Sequence, residues 1–248
     1  GINLEGPFLS MAKKGAQNGD WLHAPDVEML RRLIAASQGL VKLVSLAPEE
    51  PGAMEFIEAM ESEVTISLAH TTADYDTAME AFRLGARQVT HLFNAMPAFS
   101  HRAPGVVGAA LDTPLCNVEL ICDGVHIHPA VVRAVFTRGG AKRVILISDT
   151  MRAAGMPDGA YTLGGQDVTV KGKYATLADG TLAGSVTDLM SCMKTAVSFG
   201  IPLADAVRAA AVNPAKSIGI FSRAGSLEPG KRANVVILDE NLEVKDVF

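Results

Sequence analysis

Six short apolar runs frame what this chain can fold into: Ile2 to Leu4, Leu40 to Leu46, Val64 to Ala69, Gln88 to Leu92, Val118 to Ile121 and Val144 to Ile147. After the first interval they recur about every 25 residues, the length of a strand plus the helix that leads to the next strand. Helix signals fill the gaps. Asp26 to Ser37 opens at Pro25-Asp26 and is followed by Gly39, Asp74 to Leu84 stops at Gly85, and Pro129 to Arg138 stops at Gly139-Gly140. Short, β-branched, nearly continuous apolar strands are those buried on both faces, as in parallel sheets covered by helices. Two folds satisfy that pattern, a TIM-type barrel and a doubly wound sheet. The glycine-rich phosphate fingerprint of a dinucleotide-binding unit follows none of the six runs, which favours the barrel. The expected fold is therefore α/β, a (β/α)8 barrel with about six of its eight strand-helix units present. The start at Gly1, directly before an apolar run, reads as a chain missing its natural beginning.

From Tyr161 the texture changes. Tyr161 to Val170 and Lys173 to Leu177 alternate around Lys171-Gly172 as a hairpin would, near 161–177. Helical stretches follow at Asp188 to Phe199 and Leu203 to Val212, and the tail reads as two strands, Asn234 to Leu238 and Leu242 to Phe248. A net charge of −5 argues against a nucleic-acid partner, which calls for a basic face. No apolar run is as long as a membrane span. The three cysteines, Cys116, Cys122 and Cys192, lack C-x-x-C spacing and read as buried thiols.

The chemistry sits where these runs end. Glu5 closes the first, His70 follows the third, His91 lies in the fourth, Asp123 and His126 follow the fifth, and Asp149 follows the sixth. In a parallel barrel all carboxyl ends face one mouth, so groups far apart in sequence converge there. A lone histidine at a strand end is more often a packing residue than a ligand. Two histidines with Glu5, all at equivalent ends, point to a site instead. One carboxylate and two imidazoles form a ligand set for catalytic Zn2+, and Fe2+, Co2+ or Mn2+ would suit the same donors. Such an ion acidifies water, and Asp149 would take and return the proton. His128, before Pro129, reads as a helix start, Asp123 as a loop-fixing residue, and His23 and His101 as solvated. Arg102 and Asn94 stay open between surface and ligand roles.

The pieces LEGPFL, AKKGA, SLAPE, AHTTADYD, THLFNAM, HRAPG, ICDGVHIHP, LISDTM, GTLAGS, NPAKSIG and GSLEPGKRANVVILD occur in this order from end to end. In them the chain closely resembles the N-acetylglucosamine-6-phosphate deacetylases of the amidohydrolase superfamily. The resemblance implies a metal-bearing barrel over residues 1–225 and, in residues 226–248, part of a small β-sandwich at the C-terminus. It implies a divalent metal, Zn2+ first, on Glu5, His70 and His91, with Asp149 and His126 as catalytic residues. It implies substrate contacts at Ala16, Asn94, Ala95, Arg102, His126, Leu182, Ala183 and Gly184, with Arg102 meeting the phosphate and reaching toward a partner's site. Where some members carry a histidine two residues after the KKG turn, this chain has Gln17. The implied activity is hydrolysis of the N-acetyl group of N-acetylglucosamine 6-phosphate to acetate and glucosamine 6-phosphate, by a cytoplasmic homodimer of amino-sugar catabolism. N-acetylgalactosamine 6-phosphate, another N-acetyl sugar or a cyclic amide is the alternative substrate, and an inactive sugar-phosphate-binding fragment the alternative class.

Overall fold

The computed structural model describes all residues, 1–248. Each of the six apolar runs coincides with or overlaps a strand: β1 (Ile2–Glu5), β2 (Val41–Leu46), β3 (Thr65–Leu68), β4 (Gln88–Val89), β5 (Asn117–Ile121) and β6 (Val144–Ile147). They form one parallel sheet in the order β1-β2-β3-β4-β5-β6. A doubly wound sheet reverses its strand order at a switch point. Here the order never reverses, so the sheet curls one way, into a half-barrel.

The crossovers are α1 (Val27–Ala36), α2 (Ala53–Met60), α3 (Tyr75–Leu84), α4 (Gly105–Asp112) and α5 (Pro129–Gly139). Asp26 and Asp74 cap α1 and α3, each accepting a backbone N–H at 2.8 Å, which satisfies donors that a helix start leaves unpaired. Gly85 ends α3 at φ +129°, where an added Cβ would stand 2.5 Å from Cβ of Glu61. The core lies between the outer face of the sheet and these helices, with Leu46, Phe56, Ile57, Ile66, Leu68 and Leu120 fully buried. Burial of each such side chain contributes about 1.5–3 kcal/mol.

After β6 the chain forms a small antiparallel sheet, β7 (Gly159–Leu163), β8 (Gln166–Lys171) and β9 (Tyr174–Thr176), around Met151, Val168, Val170 and Ala175. The sequence pattern predicts one long strand from Tyr161 to Val170. The structure breaks it, because Gly164 and Gly165 at φ +58° and +81° make a two-residue turn joining Leu163 to Gln166. Helix α6 (Leu189–Ser198) begins at its Asp188 cap, and the expected helix from Leu203 to Val212 divides into α7 (Leu203–Val207) and a π-helical turn, before α8 (Asn213–Ser217). The tail pairs β10 (Val236–Leu238) with β11 (Val244–Val247), antiparallel. All three cysteines are buried, and burial pushes their thiols up to about 12. No helix is long and apolar enough to cross a membrane.

The inner face of the sheet carries a polar layer. Register aligns Glu5 with Ser45, Ser45 with Ser67 and Ser67 with Gln88. Thr90 Oγ1 hydrogen-bonds the hydroxyls of Ser45 at 2.9 Å and Ser67 at 2.7 Å. Gln88 donates to Glu119 and accepts from the Ser217 hydroxyl.

Candidate metal centre and cleft

Four acidic or imidazole side chains stand two residues past the end of a strand. They are His70 after β3, His91 after β4, Asp123 after β5 and Asp149 after β6. Three of these turn off the strand with left-handed backbone, His70 at φ +45°, His91 at +35° and Asp149 at +50°. Such conformations cost about 1–3 kcal/mol each in non-glycine residues and gather at functional sites. The same turn shortens β4. The apolar run through Leu92 predicts a longer strand, but the chain leaves the sheet at Thr90, and Phe93 and Ala95 continue with positive φ.

The turns bring Glu5, His70 and His91 together, one ligand atom from each lying within 4.8 Å of the others. His70 Nδ1 lies 2.8 Å from the carbonyl oxygen of Lys13. A carbonyl only accepts, so Nδ1 carries the hydrogen and Nε2 presents a lone pair. That lone pair faces Glu5 Oε1 at 2.8 Å and His91 Nε2 at 3.0 Å, and Glu5 Oε1 is 3.2 Å from His91 Nε2. Glu5 Oε1 and His70 Nε2 are both acceptors at 2.8 Å and repel unless a cation or a proton lies between them, and His91 Nε2 faces both. Without a metal, a proton fills that role. Burial pushes His91 down, but hydrogen bonding and charge from Glu5 outweigh it and raise its pKa. Burial alone would raise Glu5, yet the two histidines hold its carboxyl below the ordinary range. His91 Nδ1 is the one buried side-chain polar atom with no hydrogen-bond partner. One carboxylate, two imidazoles and an Nδ1–H anchored on a backbone carbonyl fit a divalent cation.

Beside this cluster opens a cleft of about 880 Å3, within the ~300–1,000 Å3 usual for small-molecule sites. Asp149 and His126 line it. Burial first, and the Glu5 charge second, raise the Asp149 carboxyl against the opposing pull of His91, His126 and His70. Asp123 accepts from the backbone N–H of Val125 and His126 and, at 2.7 Å, from His126 Nδ1. It fixes the loop, as its position in ICDGVH predicts, and also orients the His126 ring. Ala16, Asn94, Ala95, Leu182 and Gly184 line the same cleft. Gly184 has φ +65°, and an added Cβ would stand 2.9 Å from the Asp149 backbone oxygen, so only glycine lets this segment pass so close to the Asp149 backbone.

Two of the expected contacts lie elsewhere. Arg102 is exposed in the loop before α4 and is not part of this cleft, and Ala183 is fully buried in the small sheet's core. His128 caps α5 through Ala130 N–H, as expected of a helix start. The motif reading missed Lys13, Lys14 and Gln166, which also line the cleft. Gln166 donates to the Ala16 carbonyl oxygen at 2.7 Å and so ties the small sheet to the cleft wall. The Lys-Lys pair in AKKGA was a visible signal; the pairing of Gln166 with Ala16, 150 residues away, was not.

A curled parallel sheet with a carboxylate and two imidazoles converging at its carboxyl-end mouth defines the class of metal-dependent hydrolase barrels. Residues 1–248 match the amidohydrolase family. The chain belongs to that family, whose members are metal-dependent. It is 43% identical over 246 residues to the N-acetylglucosamine-6-phosphate deacetylase of Bacillus subtilis (strain 168), covering 98% of this chain and 62% of the relative. It is 38% identical over 250 residues to the N-acetylgalactosamine-6-phosphate deacetylase of Escherichia coli O157:H7, covering 100% of this chain and 66% of the relative. Among solved structures, a mutant N-acetyl-D-glucosamine-6-phosphate deacetylase from Mycobacterium smegmatis in complex with N-acetyl-D-glucosamine-6-phosphate superposes with a TM-score of 0.95. Its sequence identity is 39%, covering 100% of this chain and 66% of that one. The chain thus spans less than two thirds of the length of the Bacillus subtilis relative.

Proposed function

We propose that the protein hydrolyses the N-acetyl group of N-acetylglucosamine 6-phosphate, releasing acetate and glucosamine 6-phosphate. The observation that carries this reading is the convergence of one ligand atom each from Glu5, His70 and His91 beside Asp149 in a cleft of small-molecule size. Similarity to deacetylases of phosphorylated N-acetyl hexosamines supports the substrate class. A divalent ion on Glu5, His70 and His91, Zn2+ before Fe2+, Co2+ or Mn2+, supplies Lewis-acid chemistry, polarising a carbonyl and making water more acidic.

The chain's own residues handle the protons. Asp149 takes a proton from the attacking water, whose oxygen bonds to the acetyl carbon. It then delivers that proton to the amide nitrogen as the carbon–nitrogen bond breaks. His126, its Nδ1–H donated to Asp123, stabilises the negative charge that develops on the acetyl oxygen as an Nε2–H donor, a role that requires both ring nitrogens to carry hydrogen. Asn94, Ala95, Ala16, Leu182 and Gly184 shape the sugar site, with Ala183 packed behind them. Arg102, exposed and outside this chain's cleft, serves the phosphate in a partner subunit's cleft, which makes the working unit a homodimer. A phosphorylated substrate places the enzyme in the cytoplasm.

The test is acetate release by the full-length, metal-supplied protein from N-acetylglucosamine 6-phosphate, its galactosamine epimer and unphosphorylated N-acetylglucosamine. Release from the first in preference to the other two is expected. No release from either phosphorylated sugar, by folded and metal-loaded protein, overturns the assignment.

A further inference from the structure

Glu49 ends the SLAPE motif and lies outside the cleft. Its side chain reaches from the loop after β2 to the turn after β3, the turn that carries His70. Glu49 Oε2 accepts from the Thr71 hydroxyl, and Oε1 accepts from the backbone N–H of Thr72 and, at 2.9 Å, from the Thr72 hydroxyl. Thr71 is fully buried, so its hydroxyl hydrogen needs an acceptor inside the protein. Thr71 Oγ1 in turn accepts from Ala73 N–H at 2.9 Å. The backbone N–H of Thr71 donates to the Ala95 carbonyl oxygen at 3.1 Å, which extends the same turn to the cleft wall.

His70 stands immediately before this turn in left-handed backbone, φ +45°. A non-glycine residue keeps that conformation only where its surroundings over-determine it. Ser10 N–H holds its carbonyl at 3.0 Å and the Lys13 carbonyl holds Nδ1. The chain leaving His70 is held by Glu49. Three donors converge on one side chain that only accepts, an arrangement a carboxylate satisfies and an amide satisfies in part.

We propose that Glu49 is a positioning residue: its carboxylate clamps the Thr71-Thr72 turn so that His70 presents Nε2 to Glu5 and His91. The proposal rests on the reading of Glu5, His70 and His91 as metal ligands. Glu49 touches neither metal nor substrate. It acts through the direction of the backbone that leaves His70, as partners behind a ligand do at other metal sites.

The test compares metal-stripped wild-type protein with Glu49→Ala, Glu49→Gln, Thr71→Val and Glu50→Ala. Zn2+ affinity is measured by competition with a chelating dye, and the thermal midpoint of the metal-free protein is measured alongside. Glu49→Ala is expected to bind Zn2+ ~10- to 100-fold more weakly. Thr71→Val is expected to weaken binding in the same direction, since it removes a donor to Glu49. Glu49→Gln, which keeps one acceptor oxygen, is expected to recover most of the loss. Glu50→Ala, which removes no hydrogen bond to the turn, is expected to bind as wild type. A residue that only stabilises the fold would lower the thermal midpoint and leave the affinity of folded protein unchanged. Wild-type affinity in folded Glu49→Ala overturns the proposal. Should that variant not fold, wild-type affinity in Thr71→Val overturns it and weakened affinity supports it. A wild-type chain that takes up no Zn2+ overturns the metal-site reading itself, a result distinct from tight binding that the variants leave unaltered.

Discussion

The half-barrel holds two polar clusters, and they are built on opposite rules. In the inner layer, donors and acceptors match. Thr90 bridges the hydroxyls of Ser45 and Ser67, and Gln88 donates to Glu119 while accepting from Ser217. At the mouth, acceptor faces acceptor: Glu5 Oε1 and His70 Nε2 lie 2.8 Å apart, with His91 Nε2 3.0 to 3.2 Å from the two. A satisfied buried network holds a fold together, whereas a buried network lacking a positive centre is a binding site awaiting one. Buried polarity alone does not distinguish structure from function. The sign of the mismatch does.

The strongest way to break this contrast is Asp149→Asn. Asparagine keeps the shape of the mouth but cannot take a proton, so turnover should fall ~100- to 10,000-fold while metal content stays the same. Steady-state deacetylation beside metal analysis checks it, and near-normal turnover would remove Asp149 from the chemistry.

The inner layer is sharpened by Glu119→Gln. Burial first, against the pull of His91 and Gln88, raises Glu119 to about 7 from an ordinary 4.5. A raised folded pKa gives stability that is fully present below 4.5 and lost as pH rises through 7. Glutamine removes that dependence. The variant should therefore match wild type near pH 4.5 and exceed it at pH 8 by up to roughly 3 kcal/mol, at 1.36 kcal/mol per pH unit. Urea unfolding of metal-free protein at both pH values reads this directly, and equal stability at pH 8 would contradict a buried, destabilising carboxylate.

A smaller effect tests the mouth. The proton that His91 holds in the metal-free cluster must leave before a cation enters, and its pKa is raised. Zn2+ affinity should therefore rise with pH by up to about tenfold per unit for as long as His91 holds its proton. Titrations in matched buffers between pH 6 and 8 check the slope. A flat profile would mean that no shared proton occupies the cluster.

Much of this was legible in the sequence because parallel strands buried on both faces write themselves as β-branched runs, and because the mouth residues sit at fixed places after those runs. Glu5, His70, His91 and Asp149 were readable as run ends without any knowledge of contacts. Helix α4 was not, since its Gly-Val-Val-Gly-Ala-Ala stretch is buried on nearly every face and carries no side-chain cap. The Gly164-Gly165 turn was visible, but alternation on both sides of it passed for one strand. Lys13, Lys14 and Gln166 reach the cleft from loops whose approach no local pattern encodes. Glu49 meets Thr71 across 22 residues, and only the fold brings the two motifs together.

The most direct measurement is metal stoichiometry by native mass spectrometry, on wild-type protein and on His70→Ala and His91→Ala. The account predicts close to one divalent ion per chain in the wild type and none retained in either variant while both remain folded. A folded wild type that holds no ion, or variants that keep it, would contradict the claim that Glu5, His70 and His91 form the metal centre.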